Sequence, residues 1–175
     1  MNAAAPRPVR LLGLDPGLQH TGWGMVECAG SRLRHLGDGV ISTTTELSLA
    51  ERLSQLHRAL LALLETWRPD EAAVEQTYVN RNPGAALKLG QARGVVLLAP
   101  ALAGIPVAEY GAMEVKRAVV GTGHAEKVQV EAMVKLLLPG AAIRRADAAD
   151  ALAVAICHAH HRETRRALAR AGGAP

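Results

Sequence analysis

The chain has 175 residues, 49% hydrophobic and 21% charged, with a net charge of +4 and an isoelectric point near 9.5. These values exclude a disordered or low-complexity chain, and the length favours one domain with a sizeable core. The basic balance fits a polyanionic partner without requiring one.

Phe is absent and aromatics make up 2% of the chain, so Leu, Val, Ile and Ala must build the core. The two cysteines, Cys28 and Cys157, form neither a disulfide framework nor a zinc motif, which fits a reducing cytoplasm. The opening MNAAAPRPVR lacks an apolar signal core. Uninterrupted apolar runs such as VVLLAPALAG fall short of the ~20 residues of a membrane span, so no membrane partner is expected. Residues 1–8 read as a flexible lead-in, 9–166 as a single domain and 167–175 as a disordered tail.

In chain order, Val9 to Asp15 reads as a buried strand closed by Pro16-Gly17. Thr21 to Cys28 and Leu33 to Ser42 follow across short turns, which predicts an antiparallel meander. Ser48 and Glu51 form a capping box, and Leu49, Leu53, Leu56, Leu60, Leu63, Leu64 and Trp67 keep a 3.6 period up to Pro69. Glu71 to Glu75 is a fourth strand, parallel to an earlier one if the crossover is right-handed. Asn82-Pro83 opens a Gly- and Ala-rich helix that Pro100 should kink or shorten. Pro106 to Tyr110 is a fifth strand. Helices follow at about 112–120, 125–138 and 147–166. The fold class is α/β: a mixed five-stranded sheet, three antiparallel strands then two parallel, flanked by helices.

Four acids are candidates for chemistry. Asp15 ends the first strand and Glu75 the fourth, and ligands of open α/β sheets sit at the carboxyl ends of strands. Asp147 and Asp150, at i and i+3, share a face of the last helix. Four converging carboxylates repel unless a cation lies between them, and all-oxygen ligation suits Mg²⁺ or Mn²⁺. The Ala residues around the helical pair leave room for something to approach. Other readings stay open: Asp15 as a turn cap, Glu75 paired with Arg81 or Arg93, the pair as plain helix capping. His158 and His161 share a helix face and read, with His160, as a solvated surface rather than a metal cluster, while His124 at a helix start can meet a phosphate.

The segments LDPGLQHTGWG, AVEQTY, ALKLGQARGVV, EVKRAVVGTGHAEKVQV and DAADALAVAICHAH resemble, in order, the motifs of the RuvC-type Holliday junction resolvases, of the RNase H-like (retroviral integrase) superfamily. The resemblance spans about Leu11 to His160. It implies that Asp15, Glu75, Asp147 and Asp150 are the catalytic metal ligands of a homodimeric endonuclease that cuts four-way DNA junctions. Two ions about 4 Å apart would clamp both oxygens of an in-line displacement and leave 5′-phosphate and 3′-hydroxyl ends. By the same resemblance Lys116 and Lys127, flanking the VVGTG loop, contact DNA near the scissile phosphate. Tyr78, where the family usually has Phe, stacks on bases near the crossover. Arg81 and Lys88, with Arg93, Arg144 and Arg145, widen the basic surface, and a branch-migration helicase complex is the expected protein partner. The small-residue helix from Pro83 is the expected dimer contact. Asp15 to Gly22 (D-x-G-x-x-x-T-G) also resembles the phosphate loop of actin-like ATPases, but those need two such domains and lack the DAAD ending.

Overall fold

A computed structural model describes residues 7–76 and 82–171, with side chains through Thr164. Strands β1 (Val9–Asp15), β2 (His20–Ala29) and β3 (Arg32–Ser42) form the expected antiparallel meander. Helix α1 (Leu49–Trp67) leads into β4 (Glu71–Gln76), which lies parallel to β1. Helix α2 (Pro83–Leu102) leads into β5 (Val107–Gly111), parallel to β4. Then come α3 (Ala112–Val120), α4 (Lys127–Leu137) and α5 (Ala146–Ala171). The sheet order is β3-β2-β1-β4-β5.

The caps form where the sequence places them. Ser48 N–H donates to the Glu51 carboxylate at 2.9 Å, and Ala85 N–H donates to Asn82 Oδ1 at 3.1 Å. Helices α1 and α2 bury Leu56, Leu60, Val96 and Ala99 on one sheet face. Helices α3, α4 and α5 bury Val115, Val134, Leu152 and Ile156 on the other.

Three features differ from expectation. Pro100 lies inside α2 without shortening it, because a proline this close to the end forfeits little of the ladder; Ile105 N–H still donates to its carbonyl at 3.0 Å. Helix α5 runs past Arg166 to Ala171, since RRALARA consists of strong helix formers. By length and a mean hydropathy of 1.2, α2 is apolar enough to cross a membrane, although Lys88 and Arg93 interrupt its apolar runs.

Candidate active site

Strand periodicity decides which side chains meet. On β1, Leu12 and Leu14 face α1 and α2, so Leu11, Gly13 and Asp15 face α5. On β4, Ala72 and Val74 face α1 and α2, so Ala73 and Glu75 also face α5. Leu14 lies opposite Val74, which sets Asp15 and Glu75 side by side at the next position. Helix α5 starts over the same end of the sheet: Gly22, the register partner of Asp15, lies against the Asp147 backbone.

The electrostatics report this convergence. Burial pushes Asp15 up from 3.8 to about 8, helped by the charge of Glu75 and then of Asp150 and Asp147. Burial also raises Glu75, while a hydrogen bond from Asp15 works the other way. Lys127 Nζ donates to Asp150 Oδ2 at 2.7 Å, and that bond raises the lysine further above its ordinary value. Arg145 lies 3.5 Å from Asp147 Oδ2. Among the described residues no three His, Cys, Asp or Glu side chains stand grouped as they would around a metal ion; the two helical acids are paired with these cations instead. A cleft of about 210 Å³ gathers Glu75, Asp150, Lys116 and Lys127.

Other candidates separate from this centre. Tyr78 and Arg81 lie outside the described residues. Lys88 is exposed on α2, which packs on the opposite sheet face. Arg93 pairs with Glu109, not with Glu75. His124 is exposed, its N–H donating to Thr122 Oγ1 at 3.3 Å.

Two readings need correction. The alanines beside the acids do not open space, since Ala148, Ala149 and Ala151 are buried. They let α5 lie close on the sheet, where Gly13, Gly22 and Gly24 oppose it: a Cβ at Gly13 would overlap the Ala151 carbonyl, and one at Gly22 the Asp147 carbonyl. Nor is His158 on a solvated face. It is 3% exposed, because α5 is packed nearly all round from Ala151 to Ala159. Its Nδ1 lies 2.7 Å from the Tyr110 hydroxyl and its Nε2 2.8 Å from Glu71 Oε2, and Arg162 Nε donates to Glu71 Oε1 at 2.7 Å. His158→Ala is expected to cost about 2–4 kcal/mol, read as a lower urea midpoint at unchanged slope. His161 instead pairs with Glu114 at 3.1 Å.

Sequence reasoning also passed over Thr21. Its buried hydroxyl donates to the Gly17 carbonyl at 2.6 Å and accepts the Gly17 N–H at 3.3 Å. It closes its own loop just after Asp15. Both cysteines are core residues, and burial pushes Cys157 up to about 12, which keeps it a thiol.

The sheet order and the acidic edge at its strand ends define an RNase H-like domain. The family of crossover junction endodeoxyribonuclease RuvC matches residues 11–158, and the chain belongs to that family. It is 66% identical to the crossover junction endodeoxyribonuclease RuvC of Granulibacter bethesdensis, over 95% of this chain and 93% of that one. It is 68% identical to that of Gluconacetobacter diazotrophicus, over 88% and 92%. Among solved structures, Thermus thermophilus RuvC in complex with Holliday junction substrate superposes with a TM-score of 0.83 at 38% identity, covering 90% of this chain and 96% of that one. The yeast mitochondrial Holliday junction resolvase shares the fold, with a TM-score of 0.68 at 14% identity and coverage of 94% and 83%.

Proposed function

We propose that this chain resolves four-way DNA junctions by paired symmetric hydrolytic nicks that leave 5′-phosphate and 3′-hydroxyl ends, in recombination and repair. The observation that carries the reading is Asp15 beside Glu75 at adjacent strand ends, with Asp150, Lys116 and Lys127 sharing the cleft of Glu75. The donor set is all oxygen, and Asp15 is raised first by burial and then by its acidic neighbours, a cost that a hard divalent cation relieves, so these residues fit Mg²⁺. Asp15, Glu75, Asp147 and Asp150 would hold it, two ions per site, with Mn²⁺ as a substitute. When bound, the metal supplies an activated water and neutralises charge on the leaving oxygen.

The chain's own groups do the rest. Lys127, hydrogen-bonded to Asp150, and Lys116 in the same cleft neutralise the phosphate that enters. Tyr78 stacks on a base near the crossover, and Arg81 and Lys88 extend the backbone contact. Resolution requires two matched sites, which a two-fold dimer provides. Exposed Leu87, Leu98 and Leu102 on α2, at 66%, 52% and 70%, support a dimer surface there and account for the apolar character of that helix. The working compartment is the cytoplasm, and a branch-migration helicase is the further partner.

A synthetic four-way junction, with Mg²⁺ or Mn²⁺ and a linear duplex as control, tests the reading. Symmetric paired nicks in the junction alone are expected, with binding that weakens steeply as salt rises. Equal cutting of the duplex, or an intact junction with either metal, would overturn it.

A further inference from the structure

Between α4 and the start of α5 lies a second cleft, of about 180 Å³, separate from the one that holds Glu75. Lys135, Arg144 and Arg145 line it against one carboxylate, Glu131. Among the described residues neither Lys135 nor Arg144 is ion-paired, and both are exposed. Its floor is Ala146 and Ala149. The first helical bond here is Ala149 N–H to Arg145 C=O at 3.1 Å, so the N–H groups of 146–148 precede the ladder and point out of the helix start. Three cations and a helix N-terminus in one concavity favour an anion.

The place of the cleft says which anion. Lys127, Glu131 and Lys135 stand at i, i+4 and i+8 on α4, one stripe of that helix. Lys127 is bonded to Asp150 at the acidic centre, and Lys135 lies eight residues on, about 12 Å along the axis. Arg145 touches Asp147 and lines the second cleft too. The stripe runs from the candidate scissile position to the basic cleft over a distance of a few phosphates of one strand.

Resting on the junction-cleaving reading above, we infer that the Lys135–Arg144 cleft is a backbone-phosphate subsite that grips the cut strand a few nucleotides from the scissile bond. It acts in binding and register, and takes no part in the chemistry. Glu131 opposes the phosphate, which limits the grip and lets the product leave.

The test is the double variant Lys135→Gln/Arg144→Gln, with junction binding followed in chelator over a salt series and cleavage followed at saturating protein with Mg²⁺. Affinity is expected to fall about tenfold, and the log–log salt slope to flatten by about one. The saturated cleavage rate should stay within about twofold of wild type. Glu131→Gln should shift affinity the other way. Arg58→Gln on α1, a charge loss on the opposite sheet layer, should leave the slope unchanged. An unchanged slope in the double variant, or a slope equally flattened by Arg58→Gln, overturns the subsite while wild-type cleavage stands. A wild-type protein that neither binds nor cuts junctions overturns the functional reading and the subsite together.

Discussion

Asp15→Asn is expected to abolish junction cleavage, by about 10³-fold or more, while making the metal-free protein more stable. The two effects have one origin. Asp15 is held at a strand end against Glu75 and near the α5 acids, and its carboxyl is pushed up to about 8, first by burial and then by those charges. An acid raised above its unfolded value of 3.8 binds its proton more tightly in the folded state. Between pH 4 and 8 the folded chain therefore carries the extra proton, and this group's contribution to stability falls as pH rises. Asn carries no charge and removes that penalty. In chelator at pH 8 the gain should be about 1–3 kcal/mol, or about 2–12 °C in Tm, and it should vanish near pH 4. Added Mg²⁺ should stabilise the wild type more than the variant. Junction affinity in chelator should persist, since backbone contacts carry it. Full cleavage by Asp15→Asn would sink the four-carboxylate centre, whereas a Tm gain independent of pH would show that the acid is not strained by its neighbours.

The sheet could be read from the chain because its signals are local. The short apolar run of Val9 to Asp15 closed by Pro16-Gly17, the Ser48–Glu51 capping box and the Asn82-Pro83 start each act within a few residues, and each forms as the local chemistry dictates. The crossover rule placed β4 parallel to an earlier strand without saying which; the structure pairs it with β1, and Asp15 and Glu75 meet as adjacent parallel strands require. What stayed hidden depends on tertiary packing. A histidine eight residues after Asp150 looks solvated on a helical wheel until α5 is known to be enclosed almost all round. The partners of His158 come from β4 and β5, more than forty residues away in the chain. Glycine weakens a strand by propensity, so nothing local asks for it at 13, 22 and 24; their missing side chains are what let the helix lie on the sheet. Likewise the cations that hold Asp147 and Asp150 come from a loop and a separate helix, and no spacing rule pairs them.

Gly22→Ala should uncouple cleavage from binding, because this glycine sets where the α5 acids begin. Gly22 is the register partner of Asp15 on the neighbouring strand, so it fixes one side of the acidic centre. Its missing side chain is occupied by the backbone of Asp147: a Cβ would overlap that carbonyl oxygen and come within 3.2 Å of the Asp147 Cα. Backbone cannot rotate away as a side chain end can, so the first turn of α5 must lift. Gly13 and Gly24 still seat the following turns against Ala151 and Leu152, which confines the shift to the start of the helix. A displacement of about 1 Å there moves Asp147 and Asp150 relative to Asp15 and Glu75, and misplacement on that scale costs about 10²-fold in rate. Overpacking should cost about 1–3 kcal/mol of stability, with junction affinity in chelator nearly unchanged. Gly13→Ala makes the contrast, since its overlap falls on Ala151 in the core, where α5 is enclosed. It should lose at least as much stability but, in the folded fraction, less single-turnover rate. A Gly22→Ala protein that cuts at the wild-type rate would mean that Asp147 keeps its place by pairing with Arg145 rather than by resting on the strand.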